Sequence, residues 1–319
     1  MNSMKIILFI LLLFIQFVSL GQGYGARTFS LAPKNLTSFS LYYVNLNSNV
    51  TPSEDVVLAN GTVDVNALAI PIVHTFSIAG HLSEVFITPG FGRIGGIIDV
   101  DNHQSEIVDV NGLLDANVMM RVGILNTPSL DLENFIKHEL KFQLSVLVGI
   151  TIPIGQYDQT RHVNLGGNRW AFKFGIPFIL PLNKNKKRLF QWDFVPSVTF
   201  YAHNTKPFIG DVKTQKPLFR FEQHLSKNFT DRFWVSVNMG YQYGGKTSVD
   251  GSSSGNVINQ IGAGATLAYS PFSSIPITFQ GSYSRIWFSS KSGHLFEFGV
   301  SMSIPSKSDR LKIKAMDKK

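Results

Sequence analysis

Apolar and polar residues alternate with a period of two in some twelve segments of this chain, and that period leaves few folds open. Within residues 233–243, Phe233, Val235, Val237, Met239, Tyr241 and Tyr243 share one parity, and Trp234, Ser236, Asn238, Gly240 and Gln242 share the other. Successive side chains of a β-strand point to opposite faces, so such a segment has one apolar face and one small or polar face. A dozen segments of this kind, most of them ten residues or so, predict a transmembrane β-barrel with a polar lumen.

The strands are expected at residues 38–46, 66–78, 84–97, 112–125, 140–154, 169–182, 188–203, 217–227, 232–244, 257–270, 275–288 and 294–304. The links alternate between long polar loops (47–65, 98–111, 155–168, 204–216, 245–256) and short turns (79–83, 183–187, 228–231, 271–274). Short periplasmic turns and long external loops are the pattern of outer-membrane barrels, and an even strand number returns both ends to the periplasm. The resulting fold is all-β, a single up-and-down antiparallel barrel of about twelve strands. The link 126–139 is the long exception. Thr127-Pro128 reads as a helix N-cap with Pro at the first helical position. The helix is then either a connector or a piece lying on the periplasmic mouth. Pro71, Pro89, Pro177 and Pro196 fall inside expected strands and mark bulges, and Gly90, Gly92, Gly95 and Gly96 predict a bent third strand.

Residues 1–21 read as a secretory signal, with Lys5 before the apolar run 6–20 and a small-x-small site at Ser19-Leu20-Gly21. Residues 22–37 would be a periplasmic segment, at most a small stopper. Residues 38–305 would be the barrel and 306–319 a basic periplasmic tail. Location in the outer membrane of a Gram-negative bacterium follows. With no cysteine, there is no disulfide scaffold and no thiolate metal site. The formal charge is +8. The leader holds one positive charge and the tail a net four, leaving the body at +3. The basicity is a tail effect and does not argue for nucleic acid.

If the apolar parity faces lipid, the opposite parity carries charges into the lumen: Asp115 and Arg121, Lys173, Asp193, Arg220 with Glu222 and His224, and Glu297. Arg or Lys facing lipid at the bilayer middle costs about 2–4 kcal/mol, so inward placement is favoured. These groups form either a structural ion network or the lining of a solute path.

No catalytic, cofactor or metal pattern stands out. His74 shares the apolar parity and has no serine partner. Gly251 to Gly255 matches G-x-S-x-G but lies in a Ser/Gly-rich loop without a strand-to-helix elbow. Asp99, Asp101 and His103 alternate in a loop, a weak cation pattern. An enzyme is therefore not expected.

Residues 148–182 read VGITIPIGQYDQTRHVNLGGNRWAFKFGIPFILPL. The P-x-G-x-Y-D element (Pro153, Gly155, Tyr157, Asp158) and the N-L-G-x-N-R-W element (Asn164, Leu165, Gly166, Asn168, Arg169, Trp170) resemble the outer-membrane barrel family labelled as the meta-pathway of phenol degradation. That resemblance implies an outer-membrane protein that passes small, hydrophobic or aromatic molecules. The residues make sense in a loop on their own account, because Gly permits positive φ and Asn bonds to its own backbone in turns. The loop either folds inward and caps the pore or touches solute directly. The rival reading is a non-transporting surface barrel whose external loops bind a partner, and a lipid-processing enzyme is third. Expected partners are outer-membrane lipids, a small solute, and the periplasmic chaperone and barrel-assembly machinery.

Overall fold

The alternating segments close on themselves as a twelve-strand antiparallel barrel. The computed structural model describes residues 25–58, 61–100, 104–253, 257–272, 276–288 and 291–307. The expected signal segment, most of the basic tail, Asp101, His103 and Gly255 lie outside them. The strands are β1 (Thr37–Ser48), β2 (Val63–Ala69 continued by Ile72–Ile78), β3 (His81–Thr88 and Gly90–Val100) and β4 (Gln104–Leu113 and Ala116–Leu125). Then come β5 (Gln143–Ile152), β6 (Ala171–Gly175 and Phe178–Pro181), β7 (Phe190–Tyr201) and β8 (Leu218–Asn228). The last four are β9 (Phe233–Gly244), β10 (Ile258–Tyr269), β11 (Ile277–Phe288) and β12 (Lys291–Ile304). β12 pairs with β1 from Thr37↔Ile304 to Asn47↔His294, which leaves the sheet without a free lateral edge.

The outward parity is an exposed apolar band that includes Leu41, Val148, Phe174, Phe221, Leu267 and Phe298. Water does not tolerate such a continuous belt, and a bilayer does, so the band marks the membrane-spanning face. The connections at one end are short. Ile78 pairs with His81 across Ala79 and Gly80, whose φ values of 49° and 81° match the primed turn that suits strand twist. This is the periplasmic end.

Three prolines sit where the expected bulges were placed. Pro71 interrupts β2, Pro89 interrupts β3, and Pro177 interrupts β6. The prolines lack a donor but keep their carbonyls in the ladder: Ser40 N donates to Pro71 O at 2.9 Å, Ile70 N to Pro89 O at 3.0 Å and Ser145 N to Pro177 O at 3.1 Å. Pro196 lies within β7, opposite Phe221. β4 breaks as well, at Leu114 and Asp115, beside the breaks in β2 and β3.

Two expectations are corrected. Residues 98–100 and 104–111 are not part of a long loop. They belong to the upper halves of β3 and β4, paired from Phe91↔Leu113 to Val100↔Gln104. The alternation of Ile94, Ile98, Val108 and Val110, all buried on one side, carries the hairpin well past the neighbouring strands. The helix α1 spans Leu132–Lys137, and its N-cap is Asp131, which accepts the Asn134 N–H, not Thr127. Thr127 is instead fully buried beside the β3 turn, where its carbonyl accepts Leu82 N–H. The loops 204–216 and 245–256 also contain short strands, Lys213–Gln215 paired with Thr247–Val249.

Candidate functional site: the barrel interior

The barrel interior is filled from both ends. From the periplasmic side, residues 25–36 enter the lumen. Phe29 packs with Phe86, Leu147, Ile179 and Val195, all inward-facing and buried. Its carbonyl accepts from Arg121 Nη1 at 2.6 Å. Arg27 donates its backbone N–H to Asp193 at 2.9 Å and its side chain to Ser226 and Asn228, and its guanidinium lies 4.6 Å from the Trp234 ring centre. The short N-terminal segment is thus held by side chains of β4, β7, β8 and β9.

From outside, two loops descend. The first, residues 49–58, places Glu54 and Asp55 inside the mouth. Glu54 pairs with Arg220 and accepts from the Tyr201 hydroxyl at 2.7 Å. Asp55 pairs with Lys213 at 3.3 Å. Burial pushes both carboxyls up. For Glu54 the charges of Arg220 and Lys173, and for Asp55 those of Lys213 and Arg169, outweigh it and hold each below the ordinary carboxylate value.

The second is the glycine-rich loop 153–170, and it folds inward. Asp115, in the break of β4, accepts the Gly155 N–H on one carboxylate oxygen and the Gly167 N–H on the other, each at 2.8 Å. The two ends of the loop are thereby clamped to the wall. A Cβ on Gly155 would stand 2.8 Å from Gly166 Cα, so the two strands of the loop meet at this point only with glycine. Asn164 fixes the loop's outer turn by accepting from Asp158 N at 2.8 Å and donating to Asp158 O at 3.0 Å. Asn168 takes a φ of 51° and donates to Asn204 at 3.0 Å. Arg169 bonds Gln215 and lies 4.5 Å from the Tyr201 ring centre. Trp170 is exposed at the strand end. Val163 and Leu165, 2% and 1% exposed, project into an apolar cluster with Leu46, Val65, Ile94, Ile286 and Leu295.

The eight charged residues expected in the lumen belong to inward-facing positions, but most are packed rather than water-lined. Arg121 pairs with Glu84 at 2.8 Å, with side-chain exposures of 0% and 4%. Asp193 is covered by Arg27 and Gln191. His224 donates Nδ1–H to Asn238 at 2.9 Å and lies 4.0 Å from Glu222. Lys173 stands within Coulombic range of Glu54, Arg220 and Glu222. Glu297 accepts from Ser282 at 2.7 Å and is partly exposed. Glu84, Glu54 and Arg27 belong to the same network, and sequence reading missed them. Glu84 has the inward parity of its strand, while Arg27 and Glu54 are off the strands, where no period marks a facing. Among the described residues no group of three metal-ligating side chains gathers.

Comparison with known proteins gives the same architecture. A search of curated proteins returned no significant match. Among solved structures, the COG4313 outer membrane channel from Pseudomonas putida F1 superposes with a TM-score of 0.71 at 15% identity, covering 88% of this chain and 99% of the other. The β domain of the Bordetella autotransporter BrkA gives a TM-score of 0.50 at 9% identity, covering 85% and 100%. The transport unit of the Escherichia coli autotransporter AIDA-I gives 0.50 at 8%, covering 89% and 93%. At these identities the likeness is one of fold. The family profile described as "Putative MetA-pathway of phenol degradation" matches residues 46–302, nearly the whole barrel, and the chain belongs to that family.

Proposed function

We propose that this protein is an outer-membrane channel for small hydrophobic or aromatic molecules. The observation that carries this reading is the apolar lining of one side of the external half of the lumen, where Val163 and Leu165 close against Leu46, Ile286 and Leu295. A wide aqueous porin needs a polar throat. An apolar throat resists ions by dewetting and admits uncharged apolar solutes. The family's description and the superposable Pseudomonas putida channel support the same reading.

We propose a channel rather than an enzyme. His74 bonds Thr37 at 2.9 Å on the exposed face and stacks on Phe76, which is a structural arrangement. Phospholipid hydrolysis that disappears in His74→Ala would reverse this. The barrel's solvent is the outer-membrane lipid, and its expected assembly partners are periplasmic chaperones and the barrel-assembly machinery.

Proteoliposomes test the proposal. Uptake of phenol or toluene above that of empty liposomes is expected, with low conductance in planar bilayers. No uptake by barrels shown to be folded would reject it. One observation favours a second reading, a surface barrel that binds a partner. Ile97 and Ile107 pair across the projecting β3–β4 hairpin and are 60% and 79% exposed. Loss of cell-surface binding in an Ile97→Ser, Ile107→Ser variant that transports normally would establish it.

A further inference from the structure

The inward faces of the barrel are not equivalent. On β7 and β8 the inward side chains are buried along nearly the whole strand, and on β5 they are buried in its periplasmic half, including Ser145, Leu147, Gln191, Val195 and Ser226. Residues 25–36 and the charge network fill that half. On β11, β12 and β1 the inward residues of the periplasmic part are mostly polar, and Ser38, Ser40, Glu297, Ser301 and Ser303 remain partly exposed while Ser282 is buried. Ser38 faces Ser303 and Ser40 faces Ser301, each pair bonded at 2.8 Å, and Ser282 faces Glu297 at 2.7 Å. These residues point away from lipid, so what exposure they have is to open lumen. Above them the same wall turns apolar at Leu295, Ile286 and Leu46, and the external loop lays Val163 and Leu165 on it.

We infer that solute moves along the β11–β12–β1 wall and that Val163 and Leu165 form the outer seal of that route. The inference rests on the channel reading and names its substrate class. The seal offers no polar partner, so a permeant solute is uncharged and largely apolar. The wall below offers hydroxyls and one carboxylate, so a solute carrying a single hydroxyl exchanges hydrogen bonds as it descends. Among the described residues, Glu297 is the one acidic or basic side chain that β9 to β12 and β1 turn inward below the strand tips. It therefore sets the charge preference of the open route.

The seal is tested in the full chain by the double variant Val163→Ser, Leu165→Ser, with a heat-modifiability gel as the check of folding. Its potassium chloride conductance is expected to rise at least about threefold over the parent as the throat becomes wettable. Addition of Glu297→Gln to that background is expected to shift the reversal potential toward weaker cation preference. Folded double-variant barrels with parental conductance, or a reversal potential indifferent to Glu297, would overturn the inference. A cross-link gives a second readout that needs no change in the seal itself. The chain has no cysteine, and a Cβ built on Gly167 stands 3.3 Å from Ser53 Cβ. This is close to the Cβ separation of about 3.5–4.5 Å that a disulfide spans. In S53C, G167C the oxidised form is expected to take up phenol more slowly, and reduction should restore the rate. Equal phenol rates in both redox states would show that the loop is not the seal. If the parent takes up no phenol while the double variant conducts, the channel reading falls and the seal stands.

Discussion

The Tyr42 ring lies directly over Gly299, its partner across the seam where the last strand meets the first. A Cβ on Gly299 would stand 2.3 Å from the ring edge. Both residues point inward, so the ring has neighbouring wall on every side but the lumen. Gly299→Val is expected to strain closure by about 1–3 kcal/mol, the usual range for overpacking. Urea unfolding in detergent micelles should show a lowered midpoint, and Gly299→Val, Tyr42→Ala should recover most of it. An unchanged midpoint in the single variant would mean the ring swings freely into the lumen.

Arg121 is a buried structural ion rather than a selectivity group. Removing its charge as Arg121→Met strands Glu84 and frees the Phe29 carbonyl, at an expected cost of about 3–5 kcal/mol. The double variant Arg121→Met, Glu84→Met should be far closer to the parent. A double-mutant cycle by denaturant titration reads the difference, and two additive losses would contradict the pairing.

Asp115→Asn keeps the shape of the clamp but presents an amide to one of two N–H groups. The stranded donor costs about 1–3 kcal/mol, which is comparable to the free energy that keeps a loop in place. More frequent conductance bursts in planar bilayers are expected, with little change in barrel unfolding. A silent trace identical to the parent's would show that the loop is held elsewhere.

The first external loop should respond to acid. The carboxyl of Asp55 titrates below its ordinary value of 3.8, so its contribution is complete above that pH and is lost as pH falls through the lower folded value. The groups facing it are Lys213, Arg169, Ser53 and Thr51. Conductance should therefore be flat from pH 7 to about 4 and rise only below the reference value. Asp55→Asn is expected to be already raised at pH 7 and flat throughout. A parent midpoint near pH 6 would assign the response to another group.

Deletion of residues 25–36 opens the periplasmic half only. A modest conductance gain is expected alone. Combined with Val163→Ser, Leu165→Ser the gain should exceed either change by itself, because two obstructions in series are then both removed. Equal conductance for the combined and the seal variants would mean the N-terminal segment obstructs nothing.

The barrel was legible because its strands expose one face to lipid and one to the lumen, and a period of two survives that contrast. The inward placement of Arg220, Glu222 and His224 follows from Phe219, Phe221 and Leu225 alone. Parity says which face, not what lies in front of it. Arg121 and Glu297 have the same inward parity, yet one is sealed under residues 25–36 and the other meets open lumen. That distinction depends on segments with no period, the N-terminal stretch and the two loops. The upper hairpin was missed for a related reason. The acidic residues between positions 98 and 111 read as loop chemistry, while Ile94, Ile98, Val108 and Val110 hold the pairing.

The aligned interruptions at Pro71, Pro89 and Asp115 divide the wall into a lower cylinder and an upper collar on its β2–β4 side. Each break is spanned by its own hydrogen bonds, from Ile70 to Pro89 and from Leu114 to Gly90. The collar is thus joined to the cylinder along this line by a few bonds in place of an unbroken ladder. A change in the length of the hairpin above that line leaves the pairing of the cylinder below it in register, since β2, β3 and β4 each restart there.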